Sequence, residues 1–116
     1  MRPLTVYIYM DGLNSTLSRT KFNTSTAIKV LFIREFDGMK TLPEWLGNIS
    51  SLEWLQLYRC KNLEYLPTKQ AIQHVIQLEI NDCPKLKERC AKGSGAEWSK
   101  ISDIARLYID GEYIKK

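Results

Sequence analysis

The sequence predicts an α/β fold of stacked, similar coils, with short parallel strands on a concave face and irregular turns and short helices on a convex face. Two observations carry that expectation. The first is an internal repeat, which outranks any local reading. In Leu52-x-x-Leu55-x-Leu57-x-x-Cys60-x-x-Leu63-x-x-Leu66-Pro67, apolar residues stand at fixed intervals. The same places hold Ile28, Leu31, Ile33, Phe36, Met39, Leu42 and Pro43 24 residues earlier, and Val75, Leu78, Ile80, Cys83 and Leu86 23 residues later. The second is the alternation inside each unit. One residue between two aliphatics is the two-residue period of a strand with one buried face.

The spacing L-x-x-L-x-L-x-x-C/N-x-L within such a period is the leucine-rich-repeat signature, so the predicted architecture is a leucine-rich-repeat solenoid. Taken in chain order, Leu4–Met10 is β-rich and gives an N-terminal strand, with the choice between Val6 and Ile8 or Tyr7 and Tyr9 as inward residues left open by the pattern. The three units above follow, each burying its aliphatics inward and gaining stability by stacking on its neighbours. Cys60 and Cys83 fall where the chain leaves the strand, a place for a small side chain packed beside backbone groups. Leu42-Pro43 and Leu66-Pro67 turn the chain toward the convex side, because proline keeps the preceding residue out of the helical region. Short helical turns are expected at Glu44–Ile49 and Lys69–His74, and nothing longer fits the period.

After Lys85 the pattern changes. Gly93-Ser-Gly95 interrupts regular structure, and Trp98, Ile101 and Ile104 stand at helix-like spacing suited to covering the last full coil. Ile104-x-x-Leu107-x-Ile109 then repeats the strand portion after a longer step of 29 residues, and Asp110-Gly111 supplies a turn. The chain therefore reads as a single leucine-rich-repeat domain over 1–116, with its clearest repeats over about 27–90 and a C-terminal cap and last strand over 91–116. Met1-Arg-Pro3 offers no comparable cover for the front edge, which points to the C-terminal piece of a longer solenoid.

Composition narrows the function. A chain of 116 residues with 44% hydrophobic and 26% charged residues is an ordinary folded domain, neither disordered nor low-complexity. The net charge is +4, but the basic residues are dispersed, so no nucleic-acid groove is indicated. Neither a membrane span nor a signal peptide is present in the pattern. Three cysteines, Cys60, Cys83 and Cys90, cannot all pair, which fits reduced thiols and a cytoplasmic location. Asn14-Ser-Thr16, Asn23-Thr-Ser25 and Asn48-Ile-Ser50 match the glycosylation acceptor pattern and would matter only in a secreted protein.

Leu42-Pro-Glu-Trp-Leu-Gly-Asn-Ile-Ser-Ser-Leu-Glu-Trp-Leu-Gln-Leu57 and Leu78-Glu-Ile-Asn-Asp-Cys-Pro-Lys-Leu-Lys-Glu-Arg-Cys90 resemble the C-terminal repeats of plant nucleotide-binding leucine-rich-repeat immune receptors. Glu97-Trp98-Ser-Lys-Ile-Ser-Asp-Ile104 and Ile109-Asp-Gly111 extend the likeness, which covers about residues 28–111. The resemblance implies a sensor module in plant defense. It would recognise a pathogen effector or a host protein and contribute to autoinhibition through the receptor's own nucleotide-binding domain. The phosphate-binding loop G-x-x-x-x-G-K-[ST] of such receptors is missing from this chain, so no nucleotide cofactor is expected.

Counting from the repeat places Val30, Phe32, Arg34 and Glu35, then Trp54, Gln56, Tyr58 and Arg59, then Gln77, Glu79, Asn81 and Asp82, and finally Arg106 and Tyr108 outward on the strands. Phe32, Gln56 and Glu79 should form one row and Arg34, Tyr58 and Asn81 another. Aromatic and arginine side chains on a rigid face are the material of protein-binding hot spots. The expected partner-binding set is Phe32, Arg34, Trp54, Gln56, Tyr58, Arg59, Glu79, Asn81, Arg106 and Tyr108. A zinc site from the cysteines and His74 is disfavoured, because six residues separate the nearest pair, Cys83 and Cys90. No nucleophile motif accompanies His74, so no enzyme is expected. The alternatives are a stand-alone leucine-rich-repeat adaptor binding a host protein and a secreted, glycosylated repeat protein.

Overall fold

The computed structural model describes residues 6–11 and 28–115. Asn14-Ser-Thr16, Asn23-Thr-Ser25 and the first residues of the chain lie outside them. Among the described residues six strands form one sheet in chain order: β1 (Val6–Asp11), β2 (Ile28–Arg34), β3 (Trp54–Tyr58), β4 (Gln77–Asn81), β5 (Arg106–Ile109) and β6 (Glu112–Tyr113). The first five are parallel neighbours, and β6 turns back antiparallel to β5.

Register explains the order. Leu31 pairs with Leu55, Leu55 with Leu78 and Leu78 with Leu107, while Ile33, Leu57, Ile80 and Ile109 make a second rung. All eight are buried. A slip of one residue would turn each of these side chains out to water. Every fully buried aliphatic contributes about 1.5–3 kcal/mol, so the in-register arrangement is strongly favoured over any alternative pairing. In β1 the backbone register aligns Ile8 with Leu31 and Met10 with Ile33, and Tyr7 with Val30 and Tyr9 with Phe32, with an irregularity after Val6.

Between strands the chain stays close to the repeat. Leu42, Leu63, Leu66 and Leu86 extend the same buried cluster, and Met39 packs partly buried against it. The prolines act as expected: Pro43 is extended (φ −72°, ψ 144°) and starts a 3₁₀ turn at Glu44–Asn48, and the matching turn after Pro67 spans Lys69–Ile72. A second small parallel contact, Thr41 with Tyr65, joins the two turns, supported by the Leu42 N–H donating to the Tyr65 carbonyl at 3.0 Å. Cys60 and Cys83 sit buried at the strand exits, their thiols against the carbonyls of Tyr58 (3.7 Å) and Asn81 (3.4 Å).

Three features go beyond the sequence reading. A helix, α1 (Pro84–Arg89), fills the stretch after Cys83, and the available signal was proline at its first position. The helix-like spacing after Gly95 yields only one turn, α2 (Trp98–Ile101). Finally, Asp110 (φ 51°) and Gly111 (φ 80°) form a two-residue hairpin turn that brings β6 back along β5, the Asp-Gly signature with both residues left-handed.

Candidate protein-interaction face

The face of the sheet turned away from the core holds the predicted rows. Val30, Trp54, Gln77 and Arg106 lie side by side, then Phe32, Gln56, Glu79 and Tyr108, then Arg34, Tyr58 and Asn81. Residues directly across parallel strands are about 4.8 Å apart, close enough for their side chains to interact. Phe32 and Trp54 meet edge to face at 5.7 Å between ring centroids. Tyr58 is flanked by two guanidinium groups, Arg34 at 5.4 Å and Arg59 at 5.2 Å from its ring centroid. Such contacts restrict the motion of the aromatic rings.

Other members of the predicted set are already engaged within the chain. The Glu79 carboxylate accepts hydrogen bonds from the Gln77 (3.0 Å) and Gln56 (3.4 Å) side-chain amides. Tyr108 leans on Tyr113 at 5.5 Å, a contact supplied by the returning strand β6. Asn81 lies beside Arg34, Gln56 and Tyr58 around a hollow of about 300 Å³. Arg106 and Trp54 border a second hollow of about 350 Å³. Val30, on the outward row, is nevertheless buried.

Glu35, Arg59 and Asp82 depart from simple strand alternation. All three adopt left-handed backbone, at φ 58°, 53° and 53°, at equivalent places one residue past each strand. This conformation costs non-glycine residues roughly 1–2 kcal/mol. The Glu35 N–H bonds the Tyr58 carbonyl at 2.8 Å and the Arg59 N–H bonds the Asn81 carbonyl at 3.0 Å, so the ladder continues through the bend. At Asp82 the partner is a side chain: its N–H donates to the Asp110 carboxylate at 2.9 Å. Alternation alone gave no signal of this bend, because it arises from backbone closure and not from side-chain burial.

Asp110 also receives Lys87 Nζ at 2.8 Å. The Lys87 hydrogen bond, followed by the Asp82 N–H, holds the Asp110 carboxyl below the usual aspartate range. Its contribution to stability is therefore present above the unfolded value, near pH 3.9, and is lost as pH falls through the lower folded value. Lys87→Met should raise the Asp110 titration midpoint toward that of an ordinary aspartate, as followed by carboxyl carbon NMR. An unmoved midpoint would show that the pair does not persist in solution.

The thiols offer no exposed nucleophile. Cys60, Cys83 and Cys90 are free and buried. Hydrogen bonding between the first two lowers Cys60 and, together with burial, raises Cys83. Burial, then the nearby Glu97 charge, pushes Cys90 up to about 12. His74 is exposed on a turn before β4. Among the described residues, no group of histidine, cysteine and carboxylate side chains is arranged to hold a metal ion, and no helix is long and apolar enough to cross a membrane.

Parallel strands in sequence order and aliphatic rungs that recur in register are compatible with the leucine-rich-repeat class, a protein-interaction module that is generally not enzymatic. Within it the chain belongs to the R13L1/DRL21 leucine-rich-repeat family, whose model matches residues 17–83. The chain is also similar to "Disease resistance protein RPP5" of Arabidopsis thaliana, 26% identical over 100 residues, which is 86% of this chain and 7% of that protein. No solved structure matches. The resemblance to the leucine-rich repeats of plant nucleotide-binding disease-resistance proteins is thus borne out.

Proposed function

We propose that this chain is part of the sensing solenoid of a plant intracellular immune receptor, and that its open sheet face binds a protein. The observation that carries the reading is the aromatic and arginine cluster spanning β2 and β3: Phe32 against Trp54, and Tyr58 between Arg34 and Arg59. Rigid aromatics flanked by guanidinium groups suit recognition of another protein's surface and do not suit turnover of a small molecule. In this reading residues 1–116 form one leucine-rich-repeat domain, residues 91–116 cap it, and the sheet face is the concave side of the solenoid. The partner is a pathogen effector, a modified host protein or the receptor's own nucleotide-binding domain. In the last case the same contact holds the receptor inactive, and the compartment is the cytoplasm. Membership of a disease-resistance repeat family supports this role.

Charge reversal of Arg34 and Arg59 together tests the face. Both side chains are about half exposed, so the double variant should fold with unchanged circular dichroism. Co-precipitation of candidate partners with the variant should fall at least tenfold, the equivalent of losing about 1.4 kcal/mol of binding. Full retention of every partner that the unmodified chain captures would refute the assignment.

A further inference from the structure

The strand face carries an unusual set of unmet donors. Three side-chain nitrogens are shielded from solvent without a hydrogen-bond partner among the described residues: Arg34 Nε, Trp54 Nε1 and Arg89 Nε. All three are N–H donors and can only donate. Two of them, Arg34 and Trp54, belong to the sheet face. A shielded donor left unpaired is costly, and an acceptor brought by a ligand recovers that cost.

Around Arg34 the surroundings are specific. The hollow of about 300 Å³ is bordered by Arg34, Gln56, Tyr58 and Asn81, which between them offer a guanidinium fork, two amides and a phenol, and no carboxylate. Among the residues whose side chains the structure describes, the one acid paired with the fork is Glu35, whose Oε1 stands 3.9 Å from Arg34 Nη2, beyond hydrogen-bond reach. Glu79, one row away, has its carboxylate engaged by Gln56 and Gln77. Asp82 faces Arg59 at 3.7 Å. Among the residues whose side chains the structure describes, the hollow therefore presents convergent donors and one guanidinium that no carboxylate hydrogen-bonds.

We propose that this hollow anchors a carboxylate, the side chain of an aspartate or glutamate in an acidic segment of the partner protein. The inference rests on the reading of this face as partner-binding and names the chemistry that the face selects. The Arg34 guanidinium stacks on the Tyr58 ring, so it slides over that ring without losing the contact. The movement turns its Nε–H toward the incoming group, and a carboxylate meets Nε and one Nη side-on in the two-bond geometry that arginine favours. The amide of Asn81, on the border of the hollow, is placed to donate to a remaining lone pair. An uncharged amide in the same position would present one acceptor oxygen and leave the guanidinium charge unanswered.

An array of capped dodecapeptides tests this with the full chain, fluorescently labelled, as the probe. Each peptide is printed in three forms: with Asp and Glu, with Asn and Gln in their places, and with phosphoserine in their places. The acidic forms should bind at least tenfold more tightly than their amide counterparts, a ratio set by the strength of charge-assisted hydrogen bonds. Arg34→Leu should erase that ratio, Arg34→Lys should leave only part of it, and Arg89→Leu, at the other shielded Nε, should leave it whole. Binding that is lost in Trp54→Ala yet equal for acidic and amide forms would overturn the carboxylate anchor and leave protein recognition by the face intact. Stronger binding of the phosphoserine forms would also overturn it, in favour of a phosphopeptide. An array with no bound peptide, or with binding indifferent to both Trp54→Ala and Arg34→Leu, would count against the anchor and the binding face together.

Discussion

Glu97→Ala is expected to lower the unfolding free energy by about 3 kcal/mol, the low end of the range for removing one partner of a buried ion pair. Glu97 is 4% exposed, the one buried charged residue among those described. Its Oε1 accepts the Leu66 backbone N–H at 2.6 Å and Lys100 Nζ at 3.0 Å, while Lys100 Nζ also donates to the Leu66 carbonyl at 2.9 Å. Two side chains from the α2 region thus satisfy both backbone groups of a residue more than 30 positions earlier, at the bend before Pro67. Without the carboxylate, a buried N–H has no acceptor. Lys100 is 29% exposed and turns to water, which is why the low end of the range applies. With a urea m-value near 2 kcal/mol per molar, the midpoint should drop by about 1.5 M. Glu97→Gln keeps an acceptor oxygen and should cost about 1 kcal/mol. A Glu97→Ala loss no larger than the Glu97→Gln loss would show that water replaces the carboxylate and that the link to Leu66 is not structural.

Nothing in the sequence marked Glu97 for burial, whereas the spine was open to reading. Leu31, Leu55 and Leu78 recur at the repeat spacing, and burial of aliphatic side chains is what periodicity reports. The rows on the strand face followed from the same count, since fixing the inward residues fixes their neighbours. Glu97 obeys a different logic. A carboxylate is buried only when its hydrogen-bond partners are in place, and those partners lie in a turn remote in the chain. Its surroundings, Ala96 and Trp98, carry no trace of that turn. The left-handed residues Glu35, Arg59 and Asp82 escaped for a related reason, because backbone closure and not side-chain type selects their conformation.

Gly95→Ala is expected to cost about 3 kcal/mol, at the upper end of what forcing extra volume into a packed site brings. A Cβ at Gly95 would stand 2.3 Å from the Arg89 carbonyl oxygen and 2.5 Å from the Ala91 nitrogen. Both are backbone atoms at the end of α1, so no rotamer change relieves the overlap. The Arg89 carbonyl also accepts the Glu97 N–H at 2.7 Å, which ties the glycine to the clasp described above. Displacing that carbonyl moves Glu97 away from Leu66. The two losses therefore overlap, and the Gly95→Ala, Glu97→Ala double variant should be less destabilised than the sum of the single variants by at least about 1 kcal/mol. Gly93 supplies the contrast: its φ of 79° is left-handed, but nothing lies within 4 Å of its Cβ position. Gly93→Ala carries only the conformational cost of about 1–2 kcal/mol and should add fully to Glu97→Ala. Chemical denaturation of the three single and two double variants reads both results. Strict additivity for Gly95 would mean that the steric demand at this glycine and the buried carboxylate act independently, so that the terminal segment is held by packing of Ile101 and Ile104 alone.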